Sequence, residues 1–309
     1  TVWFARGGPV VPAGTALAVF PFTVRGSPDL AYLSQGMMDL LSRSLDVMED
    51  VRIVDPGTVI RSIGVKAPGE AFDAATAASQ TIDMGAQFFV LSALTENAGE
   101  VRLHASLYDA RMPGRPVAGA DAAGSVRELF NLVDLLSADL LLPQFGPTSA
   151  RVVGTAARTT ESPAALRAFL TAEQALRASD YDSAIVRLQR AVAEDTTFAL
   201  AYFRMAVAAG LMEFDPLFAP LAGLVPNALP RALALADQLG DRERSLLEAY
   251  TAYRRGDGDM AEAGFRRVLR DHPDDLEAHF LLAQVLMRQN PPRGRPALEA
   301  KELFEHVLS

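Results

Sequence analysis

"ALAVFPF", Ala16 to Phe22, is apolar at every position and carries Pro21 next to its end. A charge-free run this short predicts a strand buried on both faces, the situation of an inner strand in a parallel sheet. Proline brings no N–H to a ladder, so pairing is expected to stop there. Beyond the polar "TVRG" comes a helix start: Ser27 to cap, Pro28 in the first position, Asp29 in the first turn. Strand, turn and helix in that order open an α/β domain, a fold whose ligands gather at the carboxyl ends of the strands.

Working outward, Leu30, Leu33, Met37, Leu40, Leu41, Leu45 and Met48 recur at helical spacing and give one apolar face. "VRIVD", Val51 to Asp55, reads as a second strand, joined to the first by a parallel, right-handed crossover. "PGTVIRSIG" and "FDAATAASQTIDM" read as helices, and "AQFFVLSALTENAGEVRLHASLYDA" as two strands around "ENAGE". Val101, Leu103, Ala105 and Leu107 alternate with Arg102, His104, Ser106 and Tyr108, so that strand has one buried and one wet face. "VRELFNLVDLLSADLLLPQF" then predicts an amphipathic helix ending near Pro143. Residues 15–145 are thus expected to form an α/β domain, a mixed sheet with flanking helices.

The 309 residues suffice for two cores, and half of them are apolar, a globular composition. A formal charge of −9 without a long basic run argues against a nucleic-acid surface. With no cysteine, thiolate metal sites, disulfides and cysteine nucleophiles are excluded. Trp3, Phe4 and Arg6 followed by a Pro/Gly spacer suit the water interface of a preceding membrane helix, so residues 1–14 read as a linker or juxtamembrane segment. The start at Thr1 and the stop at Ser309 inside a helical pattern both suggest further chain.

"LAVFPF", "SPDLAYLSQGMMDLLSRSL", "VRIVDPGTV" and "GAQFFVLSALTENAGEVRLHASLYDA" together resemble the TolB-like amino-terminal α/β domain over roughly residues 15 to 142. The resemblance implies a domain set before tetratricopeptide repeats, in bacterial chains that often carry a kinase, cyclase or regulator domain across a membrane. It brings no catalytic residues. The chemical inventory agrees: there is no Gly-rich phosphate loop, no GxSxG elbow and no HExxH. His104, His272, His279 and His306 are scattered without metal spacing, and His104 on a polar strand face reads as a solvated side chain. Met37, Met38 and Met48 read as core, and Glu49–Asp50 as solvated charges. The expectation is no enzyme, no cofactor and no metal. Were there an active site, the crevice from Phe22 to Ser27 would be its place.

From Ser162 the texture turns to alanine-rich helical pairs. "GDGDMAEAGFRRVLRDHPDD" carries Ala261, Phe265, Val268, Leu269 and Pro273, resembling the second helix of a tetratricopeptide repeat. "SDYDSAIVRLQRAVAEDTT" repeats the pattern with Tyr181, Ala184, Leu188 and Ala191, and "RPALEAKELFEHVLS" with Ala300, Phe304, Val307 and Leu308. First helices carry Ala172, Ala206, Ala249 and Ala283 at the close-approach position. Residues 163–309 therefore predict an all-α helical-repeat solenoid of about four repeats. An insertion near 211–230 and a lengthened "NPPRGRP" turn depart from the period. Residues 146–162, small, polar and proline-bearing, read as a linker in which "ARVVG" could add a strand.

A repeat array binds partners on its concave surface, lined by the first helix of each pair. Repeat spacing puts Phe169, Arg177, Phe203, Arg204, Tyr250, Tyr253, Arg254, Phe280, Gln284 and Arg288 there. Aromatics beside arginines are interface composition, and the arginine stripe favours an acidic or carboxylate-bearing partner. The asparagine and lysine pattern of carboxylate clamps is absent, and Glu173 stands at one of those positions. The expectation is a non-catalytic interaction or scaffold module, extracytoplasmic and membrane-associated, binding a protein partner and no nucleic acid. Two alternatives stand beside it: a sensory segment of a larger signalling protein, and an accessory subunit of a membrane complex. A cytoplasmic location is the alternative setting.

Overall fold

The computed structural model describes residues 15–46, 51–64, 70–145, 160–212 and 227–308. Outside them lie the juxtamembrane reading of 1–14, Met48, Glu49–Asp50, the "ARVVG" segment and most of the insertion. The chain divides into two compact units between Ala157 and Arg158.

The first unit runs β1 (Thr15–Val19), β2 (Thr23–Arg25), α1 (Leu33–Leu45), β3 (Val51–Ile53), α2 (Pro56–Ile63) and α3 (Ala74–Asp83). It continues with β4 (Phe88–Asn97), β5 (Glu100–Asp109), β6 (Ala118–Ser125) and α4 (Leu129–Phe145). The sheet is mixed, in the order β3-β1-β4-β5-β6: β1 pairs parallel with β3 and β4, while β4–β5 and β5–β6 are antiparallel. Every residue of β1 is buried, as a charge-free inner strand requires.

Pro21 does not end the pairing. Val19 faces Val90 and Thr23 faces Ala93, so four steps on one strand answer three on the other, and β2 rejoins β4 past a bulge. The Phe20 N–H still donates to the Val90 carbonyl at 3.1 Å. The Phe22 N–H donates to the Ser34 carbonyl at 2.9 Å, and the Ser34 hydroxyl donates to the Phe22 carbonyl at 2.7 Å. Proline occupies the one bulge position whose missing donor costs nothing. The Ser27 cap signature likewise works locally: its hydroxyl accepts from the Asp29 N–H at 3.3 Å and starts a 3₁₀ turn, Pro28–Leu30, ahead of α1. Two further departures concern β6, a strand of Ala, Gly and Ser that local propensity disfavours, and α4, whose helix passes Pro143 to reach Phe145.

Two cores sandwich the sheet. On one face Ala16, Ala18, Phe20 and Phe89 pack with Val54, Val59, Ala77 and Ala78 from α2, α3 and the β3 end. Phe20 sits edge-on to Phe72 and Phe89 at 5.3 and 5.9 Å, and Phe89 stacks on Tyr108 at 5.1 Å. The other face is covered by α1 and α4, which bury Leu33, Met37, Leu40, Leu132, Val133 and Leu136.

The second unit is helical: α5 (Pro163–Arg177), α6 (Tyr181–Glu194), α7 (Ala199–Met212), α8 (Ala228–Ala234), α9 (Asp241–Arg254), α10 (Gly258–Asp271), α11 (Leu276–Gln289) and α12 (Leu298–Leu308). Successive helices pack together, as a helical-repeat solenoid of the tetratricopeptide kind does. Ala172, Ala184, Ala249, Ala261, Ala283 and Ala300 are buried at the close approaches, whereas Ala206 is half-buried. Gly264 carries the tightest one: a Cβ there would lie 2.7 Å from the Cβ of Ala249, so α9 and α10 meet backbone to backbone.

Two turns show how alike the pairs are. The Ser179 N–H donates to the Leu176 carbonyl and the Asp180 N–H to the Ala175 carbonyl, at 3.0 and 2.9 Å. The Gly256 and Asp257 N–H groups repeat the motif on Tyr253 and Ala252, each at 3.0 Å. Asp180 and Asp257 then cap α6 and α10, accepting from the Ser183 and Met260 N–H groups. The motif needs a left-handed residue; Gly256 takes φ +80°, but its counterpart is Ser179 at φ 58°. Ser179→Gly removes that steric cost while loosening the unfolded chain, and is expected to stabilise by about 0.5–1 kcal/mol. Urea unfolding at unchanged slope measures it.

Candidate functional site

The ten concave-face residues do not form one surface. Phe169, Phe203 and Tyr250 are at most 2% exposed. Phe169 packs on Phe198 at 4.9 Å, Phe203 meets Tyr250 at 6.2 Å, and the Tyr250 hydroxyl donates to the Ala206 carbonyl at 3.0 Å. These three are core aromatics. Phe280 turns toward its own hairpin partner, edge-on to Phe304 at 5.7 Å. Gln284 is half-buried on α11.

Arg204 is also inside, 9% exposed, and it anchors an ion network no repeat period announces. Its Nε lies 3.1 Å from the Glu173 carboxylate, a charge contact without hydrogen-bond alignment, and its guanidinium donates to Glu277. Arg242 continues the chain: its Nε and a terminal nitrogen reach Asp275 at 2.8 and 2.7 Å, and Glu277 lies 4.0 Å away. Asp275 is shared, since its other oxygen caps α11 through the Ala278 N–H at 2.9 Å. Burial works against the Arg204 charge, but Glu173 and Glu277 outweigh it and hold the guanidinium protonated above its ordinary range. The network joins α5, α7, α9 and α11, the first helices of all four pairs. It also breaks the expected arginine stripe, because the charge of Arg204 is spent internally.

The remaining arginines share a different location. Arg177 is the last residue of α5, Arg254 the last of α9 and Arg288 the last but one of α11. Each sits where a helix dipole favours a cation, so together they mark the carboxyl-terminal edge of the first helices. Arg254 is exposed and Tyr253 half-buried. Arg254 and Tyr250 lie over Gly210 of α7, where a Cβ would come within 2.8 Å of the guanidinium. The Tyr253 carbonyl accepts from the Gln289 side chain at 2.9 Å, which ties the α9 end to the α11 end.

The first unit holds a second constellation. His104 lies directly opposite Asp121 across β5–β6. His104 Nδ1 is 2.9 Å from Asp121 Oδ1, and His104 Nε2 is 3.0 Å from Ser106 Oγ. Ser106 and His104 line a cleft of about 180 Å³ on the sheet face they share with Phe89 and Tyr108, with Thr23, Phe72, Leu91, Ser92 and Tyr108. The alternation of β5 already places His104 and Ser106 on one face. The Asp121 partner was hidden because β6 carries no strand signal of its own. The Phe22–Ser27 crevice touches this cleft through Thr23 alone. Among the described residues no three histidine or acidic side chains gather as a metal site, and no helix is long and apolar enough to cross a membrane.

These geometries define a chain with a mixed-sheet α/β unit and a tetratricopeptide-like helical-repeat unit. No family model matches it, and no curated protein sequence does. Among solved structures, it is similar to the LpoB C-terminal domain from Salmonella enterica, at 19% identity over 37% of this chain and 85% of that one, with a TM-score of 0.31. The PelC L103M dodecamer from Paraburkholderia phytofirmans aligns at 18% identity over 46% and 96%, TM-score 0.31. The MamA protein aligns at 18% over 52% and 78%, TM-score 0.28.

Proposed function

We propose that this chain is a protein-interaction module whose repeat unit binds an acidic protein segment along the carboxyl-terminal edge of its first helices. The placement of Arg177, Arg254 and Arg288 at the same end of three first helices carries the reading. A row of guanidiniums matches carboxylates in geometry as well as charge, and Tyr253 adds an aromatic anchor beside it. We further infer that the first unit is TolB-like, on the order of its elements and the patterns around "LAVFPF". The setting proposed with it is extracytoplasmic and membrane-associated, with a membrane complex as the source of the partner. No reaction is assigned to the repeat unit.

Arg254→Glu combined with Arg288→Glu is expected to weaken partner binding at least tenfold, or about 1.4 kcal/mol. Wild-type affinity should fall with added salt, since the contacts are charge pairs on an edge where Arg254 is exposed and Arg177 and Arg288 are half-buried. The partner is taken by crosslinking and pull-down from solubilised membranes, and affinities are then measured with the purified pair. Arg288 is half-buried, so the melting temperature of the double variant is measured alongside to show that it is folded. Full-strength binding by a folded double variant would place the partner elsewhere.

A further inference from the structure

We propose that Ser106 is a nucleophilic serine, activated by His104 and Asp121, and that the adjoining cleft takes a small carboxylic ester. The proposal is independent of the partner-binding reading, which concerns the other unit.

Strand geometry builds the group. His104 and Ser106 are two residues apart on β5, hence on one face, and the antiparallel register sets Asp121 across from His104. In the neutral ring, with the Nδ1 proton directed at the Asp121 carboxylate, Nε2 is the acceptor for the Ser106 hydroxyl. That is the tautomer a general base requires, with a lone pair 3.0 Å from the oxygen it deprotonates. Ser106 is 8% exposed, and Ala71, Phe72, Leu91 and Ala93 give its cleft apolar walls. The cleft shields the hydroxyl, while His104 and Asp121 stay open to solvent, 53% and 82% exposed.

The step balances without a cofactor. Ser106 Oγ bonds to the ester carbonyl carbon as its proton passes to His104 Nε2. The tetrahedral adduct collapses, the bond to the alkoxide breaks, and the alkoxide leaves with that proton. Water then attacks the acyl-serine, gives its proton to Nε2, and the acid departs as Ser106 recovers its hydrogen. Thr23 and Tyr108 also line the cleft, and their hydroxyls are assigned to the oxyanion. At about 180 Å³ the space lies below the 300–1,000 Å³ usual for drug-sized ligands, which restricts the acyl group to a few carbons.

The test uses the intact chain, a fluorophosphonate probe and p-nitrophenyl acetate, read by intact mass and peptide mapping. One covalent adduct at Ser106 is expected, formed at least 100-fold more slowly in His104→Ala, since a positioned base contributes about 10²–10⁴. Asp121→Asn should slow it too by disturbing the tautomer, and Ser106→Ala should abolish it. Site mapping on the wild type needs no variant to fold: an adduct absent from Ser106 overturns the proposal. So does labelling of Ser106 that proceeds unchanged in a folded His104→Ala variant, which would mean the histidine does no more than hydrogen-bond a surface hydroxyl.

Discussion

Arg204→Met is expected to destabilise the repeat unit by about 3–5 kcal/mol, the cost of removing one partner from a buried ion pair. Methionine fills much of the volume, so the loss is not a cavity effect. It arises because Glu173 and Glu277, both largely buried, lose the cation between them. Thermal unfolding should show a drop on the order of 10 °C in the repeat unit's transition, at about 2–4 °C per kcal/mol for a unit this size. The same reasoning predicts rescue. Adding Glu173→Leu and Glu277→Gln removes the carboxylates that faced Arg204, and the triple variant is expected to regain most of the loss, because replacing a whole buried ion group by uncharged side chains is often neutral. A single variant that unfolds at the wild-type temperature would mean that the network is solvated in solution. A triple variant no better than the single would mean that Arg204 contributes packing rather than charge.

Local patterns were readable wherever local physics decides. The charge-free run of β1, the alternation along β5 and the alanines between paired helices each declare their surroundings residue by residue. What stayed hidden was set by pairing at a distance. β6 is "AGADAAGS", and it is a strand because β5 offers it a complete ladder from Glu100 to Leu107. His104 is exposed, as its polar strand face predicts; without β6, only its Asp121 partner goes unseen. The bulge at Pro21 is similar: the residues predict an interruption, and only the continuing edge of β4 turns it into a restart.

In the helical unit the hidden feature is of a different kind. The ion network draws on Glu173 late in α5, Arg204 midway along α7, and Arg242 and Glu277 at the starts of α9 and α11. No repeat position is shared, so a period-based reading passes over it. Arg204 and Glu277 also meet across two repeats, from α7 to α11. With first helices drawn that close, large aromatics such as Phe169, Phe203 and Tyr250 fill the space between them. The three remaining arginines of the set, Arg177, Arg254 and Arg288, sit at helix ends and keep partial or full access to solvent.

Phe89→Ala tests the other unit with an effect of the same size. Phe89 is fully buried on β4, between β1 and β5, and touches both neighbours through rings: edge-on to Phe20 and stacked on Tyr108 with 9° between planes. Truncation leaves a cavity in a sheet centre that cannot collapse, which costs about 3–5 kcal/mol for an aromatic side chain. Phe89→Leu keeps more of the volume while losing both ring contacts, and should cost about 1–2 kcal/mol. The distribution of the loss matters more than its size. Two compact units predict two unfolding transitions. Phe89→Ala should lower the one followed by strand signals and leave the helical one in place, the reverse of Arg204→Met. Tyr108 also walls the cleft beside Ser106, so Phe89→Leu should slow fluorophosphonate labelling while the repeat unit's partner binding stays at wild-type strength. If either substitution lowered both transitions equally, the units would unfold as one block, and the separation of a sheet cleft from a helical binding edge would fail with it.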